Sequence, residues 1–357
     1  MIATNCLKAG SREIVFENLR YVDEETYSTW FRSHPEPGDV LFVCKGSPGR
    51  VAIVPDPVSF CIAQDMVALR AASDVWPGYL YYRIMAPDVQ FGIQNMHVGT
   101  MIPHFKKGDF GNLSIRIHRD TSEQRAIAEV LGALDDKIAA NNRILRIMDE
   151  LIRAMYMNLP ESTMTIGDIA APARSQISPN ELQAGTKYLG LEHLPRRSIW
   201  ATEHGNSQDV SSAKSQFSRG DILFGKLRPY FHKVVSAGFS GICSTDIIVL
   251  RAKESRLAGL TLAAASSDDA VRACTAASEG TRMPRTSWKD LSAVPVRCPD
   301  LGSADEFNDS VIQKSDFAHA LVEELGTLAK TRDELLPLLM SGKLRVKDAE
   351  KKVEAIA

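Results

Sequence analysis

Apolar residues recur in alternating steps of four and three through the middle of the chain: Ile127, Leu131, Leu134, Ile138, Leu145, Met148, Ile152 and Met155, with Asn141 as one polar rung. This is a heptad seam held for more than four heptads, and it predicts a helix over 122–158, about 55 Å long at ~1.5 Å per residue. Thr121 and Ser122 are N-cap candidates, Glu123 suits the first turn, and Pro160 stops the run. A second ladder has the same rhythm: Phe307, Val311, Ala318, Leu321, Leu325, Leu328, Leu335 and Leu339, interrupted by Lys314 and Arg332. Pro337 is expected to bend or fray its last turns and Gly342 to end it, leaving Lys343 to Ala357 as a loose charged tail. Each ladder alone also fits a core or bundle helix. Two single-stripe helices far apart in one chain can instead cover each other as an antiparallel coiled coil.

Outside the ladders the chain repeats itself. Gly38-Asp-Val-Leu-Phe-Val43 returns as Gly220-Asp-Ile-Leu-Phe-Gly225, 182 residues on. Asp65-Met-Val-Ala-Leu-Arg-Ala71 returns as Asp246-Ile-Ile-Val-Leu-Arg-Ala252, and Gly99-Thr-Met-Ile-Pro103 as Gly280-Thr-Arg-Met-Pro284, both 181 on. Asp149-Glu-Leu151 matches Asp333-Glu-Leu335 at 184. A period of half the chain is too long for a solenoid and means two related domains, each followed by its own helix. The expected partition is 1–120, a first domain; 121–160, a central helix; 161–302, a second domain; 303–345, a C-terminal helix; and 346–357, the charged tail. The expected fold class is α+β: two mixed α/β domains separated by two long helices in an antiparallel coiled coil with pseudo-twofold symmetry.

Within the domains, Val40–Val43 and Val51–Val54 read as strands around a Gly/Pro turn, and Ile222–Phe224, Phe231–Val235 and Ile247–Leu250 echo them. The region 271–277 reads as a short helix. Asp39 and Asp221, each after a glycine, read as turn or cap residues at a strand start rather than as metal ligands or catalytic acids. Asp65 and Asp246 are read the same way.

The turns carry cations: Lys45 and Arg50 in the first copy, Lys226, Arg228 and Lys233 in the second with Tyr230 and His232 interleaved. A later cluster pairs His104, Lys106 and Lys107 with Arg282, Arg285, Trp288 and Lys289. Between 196 and 233 seven Lys/Arg stand against three acids. Cations on strand-connecting loops, with Ser, Thr and aromatics beside them, suit phosphate positioning and base-edge readout. Exposed loops also carry Lys and Arg for solvation alone; matching turns in both copies favour the functional reading.

Composition narrows the classes. The 357 residues are 44% apolar and 24% charged with a net charge of −2, which excludes a chain-wide basic coat but not a local stripe. No run is long enough for a membrane span, the first residues lack a secretory h-region, and the six cysteines contain no C-x-x-C; a cytoplasmic chain with reduced thiols and no metal site is expected. No Walker A loop, G-x-S-x-G elbow, Gly-rich cofactor loop, histidine metal set or Asn/Asp-Pro-Pro-aromatic tetrapeptide is present, so no reaction is expected of this chain itself.

The doubled order of these segments resembles the specificity subunit of type I restriction–modification enzymes, built as recognition domain, helix, recognition domain, helix. The residues that carry it are Pro37–Val54, Gly220–Phe231, Glu279–Arg285, the helix start Glu123–Ile138 and the closing Arg332–Leu344. One departure is clear: about 57 residues precede Asp221 in the second copy and only 38 precede Asp39 in the first, so the opening of the first recognition domain is short or missing. The resemblance implies that each domain reads half of a bipartite duplex target in the major groove and that the helices set the gap. It further implies two modification subunits docked along the helices, plus restriction/motor subunits. S-adenosylmethionine, ATP and magnesium would then serve the partner subunits, with no cofactor in this chain. The DNA-facing candidates are Lys45, Ser47, Arg50 and Lys106 in the first domain and Lys226, Arg228, Tyr230, Arg282 and Arg285 in the second. The helix-seam candidates are Ile127, Leu131, Leu134, Ile138, Leu145, Leu321, Leu325, Leu328 and Leu335. Two rival readings are a non-catalytic coiled-coil adaptor presenting two protein-binding domains, and a stand-alone nuclease or methyltransferase, against which the missing motifs weigh.

Overall fold

The computed structural model describes residues 1–31, 34–96, 102–278, 283–298 and 301–356. In chain order its helices are α1 (Glu24–Thr29), α2 (Pro77–Met85), α3 (Pro87–Asn95), α4 (Thr121–Met157), α5 (Ile166–Ile169), α6 (Ala258–Ala265), α7 (Asp268–Ala277), α8 (Trp288–Ser292), α9 (Leu301–Met340) and α10 (Val346–Glu354). The strands are β1 (Val40–Val43), β2 (Val51–Ile53), β3 (Met66–Leu69), β4 (Glu161–Thr165), β5 (Ala170–Pro172), β6 (Gln176–Ile177) and β7 (Lys187–Leu189). They continue as β8 (Gly205–Asn206), β9 (Lys214–Phe217), β10 (Ile222–Gly225), β11 (Val234–Ser236), β12 (Gly241–Cys243), β13 (Ile247–Ala252) and β14 (Pro295–Arg297). Packing gathers Met1–Ala140 with Thr327–Ala357 into one unit and Asn141–Gly326 into another.

In the first unit, β1 lies between β2 and β3, antiparallel to both, with Val40 opposite Ile53 and Leu69. The sheet is buried on both faces. Val40 and Phe42 join a core with Tyr79, Tyr81 and Tyr82 of α2, while Leu41 and Val43 face Ile2, Leu7, Ile14 and Phe60. The first core also takes the helix seam: Ile127, Leu131 and Leu134 of α4 with Leu328, Leu335 and Leu339 of α9. Ile138 is half-buried at its edge.

The two helix segments run antiparallel in this unit. Asp135 on α4 pairs with Arg332 on α9, whereas Arg116–His118, just before α4, line one cleft with Met340, Ser341 and Lys343. Arg332, one of the two apparent breaks in the second ladder, is thereby explained: its guanidinium is 2.8 Å from Asp135, both side chains are largely buried, and Tyr82 donates to the same carboxylate at 2.7 Å.

Three local expectations are corrected. Asp120, not Thr121 or Ser122, caps α4, its carboxylate accepting from the Ser122 N–H at 2.8 Å. Pro337 does not fray α9, which runs on to Met340 because Leu335, Leu336 and Leu339 are buried around it; Gly342, at φ +68°, then ends the helix, with the Lys343 N–H donating to Leu338 O. The charged tail is not loose: Val346, Ala349, Val353 and Ile356 form a helical stripe, and α10 lays it on the first core.

The second unit repeats the three-stranded arrangement as β11–β10–β13, with Ile222 opposite Ser236 and Leu250, and adds β5 on the far edge of β13. A second sheet, β6–β9–β12–β7–β8, contains the parallel pair β7–β12. The expected strand at Phe231–Val235 is a turn over Pro229–Phe231 followed by β11, because Arg228 and His232 sit in the left-handed region on either side of that turn. Here too α4 and α9 pair antiparallel. Asn141 donates to Glu324 at 2.8 Å, and Trp200 bridges the next rung, donating to Leu145 O at 2.9 Å while packing edge-on against His319. Leu145, Leu321 and Leu325 are buried. Gly259 lets α6 close on α9: a Cβ there would stand 2.8 Å from Asn308 O.

Candidate nucleic-acid interface

The loop after β1 and the loop after β10 are the same object built twice. In the first unit the Phe105 N–H donates to Cys44 O at 2.7 Å and the Gly46 N–H to Pro103 O at 2.9 Å. In the second, the Thr286 N–H donates to Lys226 O at 3.1 Å and the Arg228 N–H to Pro284 O at 2.8 Å. Each clasp holds the hairpin loop against the later cationic segment, joining stretches of sequence that lie far apart. Lys45 and Lys106 therefore share one exposed patch with Ser47 at its margin, and Lys226, Arg228, Tyr230 and Arg285 share another.

Gly46 and Arg228 occupy equivalent places and both have positive φ, +82° and +51°. Glycine adopts this conformation freely; arginine adopts it at a cost and persists there only where the surroundings hold it. The strain sets an exposed guanidinium at the loop tip, beside Tyr230, which is half-exposed and packed edge-on against Phe231 at 4.8 Å. Arg196 stacks on the same Phe231 ring, 3.9 Å from its centroid. A cation-bordered aromatic step of this kind can take a phosphate through the guanidinium groups and a base or sugar against the ring faces.

Not every predicted cation is free. Arg50 turns inward, donating to Leu7 O at 3.1 Å and to the Ser47 hydroxyl at 3.3 Å. Lys233, its counterpart in the second loop, also turns inward onto Leu191 O; burial pushes its pKa down, the neighbouring Arg196 charge adds to that, and Glu192 opposes it. Both residues hold their loops. Lys226 donates to Thr245 O at 2.6 Å and Arg285 pairs with Asp246, so these two are poised by the loop before β13 rather than loose in solvent. Arg282 lies outside the described residues, as do Gly99–Met101 and Glu279–Thr281 of the quoted repeat. Arg196 was within the basic stretch visible in the sequence, but only the fold brings it over Phe231.

The matched aspartates are structural. Asp39 accepts from the Glu36 N–H at 2.8 Å and from Arg70 at 2.9 Å; Asp221 accepts from the Ser218 N–H at 2.8 Å and from Arg251 at 2.7 Å. Burial alone would raise the pKa of Asp39, but the Arg70 and backbone hydrogen bonds and the Arg70 charge outweigh it and hold the carboxyl below its usual range. The six cysteines are buried and form no disulfide among the described residues, and burial pushes Cys243 up to about 12. Among the described residues no three His, Cys, Asp or Glu side chains converge as a metal site.

Residues 22–147 match the family described as the type I restriction modification DNA specificity domain. Over that stretch the chain is similar to type I restriction modification DNA specificity domains. It is also 25% identical over 274 residues to the type I restriction enzyme EcoDI specificity subunit of Escherichia coli, covering 64% of this chain and 60% of that subunit. The match thus spans less than two thirds of the relative's length. The crystal structure of the type I restriction–modification system S subunit from M. genitalium superposes with a TM-score of 0.54 at 17% identity, over 86% of this chain and 84% of that one. The fold is that of a specificity subunit, and the resemblance read from the doubled motifs is borne out. Among the described residues, no helix is long and apolar enough to cross a membrane.

Proposed function

We propose that this chain is the sequence-recognition subunit of a type I restriction–modification complex, reading a bipartite duplex target through its two clasped loop pairs. The observation that supports it is the duplicated clasp itself: a specificity domain and its twin each hold two cationic loops side by side by main-chain bonds. Lys45, Ser47 and Lys106 face one half-site, and Arg196, Lys226, Arg228, Tyr230 and Arg285 the other, with Arg282 placed there by sequence alone. Arg50 acts by holding its loop.

In this reading the chain performs no reaction. It works in the cytoplasm as the scaffold on which two modification subunits and the restriction/motor subunits assemble, along the helix seam. S-adenosylmethionine, ATP and magnesium serve those partners. The working partition is 1–120 and 161–302 for recognition, 121–160 and 303–345 for spacing, with 346–357 closing the first unit.

The test is duplex binding by the chain reconstituted with its modification subunits, after adenine-methylation mapping with and without the gene has supplied the target. The double change Lys226→Gln plus Arg228→Gln is expected to weaken binding and to lower the salt slope by about two. Absence of any duplex retention at low salt, with partners present, would favour the adaptor reading instead.

A further inference from the structure

The two hairpin loops are held at their far ends by different means. Gly49 and His232 each stand two residues before the strand residue that pairs with Phe42 or Phe224, and both have positive φ, +89° and +52°. In the first copy the Gly49 carbonyl accepts from the Gln90 side chain at 2.9 Å, and a Cβ at Gly49 would stand 2.8 Å from that same amide. In the second copy the His232 carbonyl accepts from the Arg197 N–H at 2.9 Å, and the imidazole is buried, 3% exposed. A histidine in the left-handed region is costly and persists only where its surroundings fix it.

The ring meets three elements. Nδ1 lies 3.4 Å from the Asp268 carboxylate at the start of α7, which pairs with Arg197 at 3.0 Å. Nε2 lies 3.2 Å from Nη1 of Arg153, on α4, and 2.8 Å from the Ser266 carbonyl. Arg153 is set by Asp149, one turn earlier on α4, at 2.8 Å, and its Nη1 also donates to Ser266 O at 2.6 Å. The two neighbours of Nε2 make opposite demands, because a guanidinium only donates and a carbonyl only accepts. A neutral ring with its proton on Nδ1, toward Asp268, accepts from Arg153. A charged ring must donate from Nε2, which turns it to Ser266 O and sets two cations 3.2 Å apart. Burial holds the imidazole below the usual histidine range; the Ser266 carbonyl and Asp268 oppose this, and the Arg153 and Arg197 charges add to it. The neutral, gripped ring is therefore the state at neutral pH.

We infer that Arg153 of α4 is a positioning residue for the second recognition loop, acting through His232, and that protonation of His232 releases the loop tip. This rests on the duplex-reading role proposed above. The route is short. The His232 N–H closes the turn onto Pro229 O at 2.8 Å, and the Phe231 N–H onto Arg228 O at 2.9 Å. The ring thus anchors the strained end of the turn that presents Arg228 and Tyr230, and ties it to the long helix.

The experiment has two arms. In the first, isotope-labelled histidine in the free full-length chain is followed by NMR across pH, with His232→Asn identifying the resonance. The ring is expected to be the Nδ1–H tautomer at neutral pH, and Arg153→Gln to make it titrate at higher pH. In the second, the chain reconstituted with its modification subunits is titrated with target duplex above and below that ring's own midpoint. Acidification is expected to weaken the unaltered complex about fivefold more than the His232→Asn complex, the scale of one hydrogen bond. Asparagine tolerates the left-handed region, so the variant keeps the turn. Asp149, which burial pushes up, titrates in both complexes and cancels in the comparison. An Nε2–H tautomer at neutral pH, a midpoint unmoved by Arg153→Gln, a ring that stays neutral down to acid unfolding, or equal acid losses in the two complexes would each overturn the inference. Failure of the unaltered complex to retain any duplex would strike the duplex-reading role instead, and the tautomer with its response to Arg153→Gln would still decide the grip.

Discussion

Arg251 grips the buried carboxylate of Asp221 with two hydrogen bonds of 2.7 Å, and Arg70 does the same to Asp39 with two of 2.9 Å. Each pair ties the start of a central strand to the end of its neighbour, at the end of the sheet opposite the hairpin loop. The carboxylates are buried and the guanidinium groups are half-exposed, so each arginine covers the acid like a lid.

The first of these pairs should be visible in acid. Asp39 has a folded pKa below its unfolded value, so its contribution is fully present above the unfolded pKa and is lost as pH falls through the folded one. Stability of the first unit is expected to decline below about pH 4, and Asp39→Asn to lower the urea midpoint at pH 7 while flattening that decline. An unchanged acid profile in the variant would show that other carboxyls carry it.

Asp135 and Arg332 predict a double-mutant cycle. Both side chains are largely buried in the helix seam, and Tyr82 and the Gly10 carbonyl complete their hydrogen bonds. Desolvation opposes the charge on Arg332, but its bonds to Asp135 and Asp333 raise its pKa overall, so it stays cationic. Removing either partner strands the other, and Asp135→Ala or Arg332→Ala should each cost about 3–5 kcal/mol in urea unfolding. Replacing both with leucine should cost less than the sum.

The apolar rungs predict cavity costs. Leu131 and Leu328 are 0% and 1% exposed in one core, so Leu131→Ala and Leu328→Ala should each lose about 2–5 kcal/mol by chemical denaturation. Losses under about 1 kcal/mol would mean the seam does not hold the unit together.

Arg228 separates binding from folding. Its φ of +51° suits glycine, as at Gly46. Arg228→Gly should leave stability unchanged or raise it by up to about 1 kcal/mol, while weakening duplex binding by the reconstituted complex and reducing its salt slope by about one. A loss of stability without a loss of binding would make Arg228 a structural residue.

Much of the frame was legible in the chain because its signals are local or periodic. The seam from Ile127 to Leu145 and the repeated Gly-Asp and Asp-to-Ala stretches marked two copies and their helices. What stayed hidden depends on distant partners. That Arg50 bonds Leu7 O, that Arg196 stacks on Phe231, and that β7 runs parallel to β12 are non-local facts with no periodic trace. The tail was misread because its charges outnumber the three apolar residues of α10, although their spacing is helical. Arg332 was read as a break in the ladder because its partner Asp135 lies on the other helix.

The clasps at Cys44–Phe105 and Lys226–Thr286 are made wholly of amide and carbonyl groups. Amides and carbonyls are common to nearly every amino acid. The clasp bonds themselves therefore do not depend on which side chains stand at 45, 106, 226 and 285, and the two tips of this molecule can diverge while the frame beneath them stays the same.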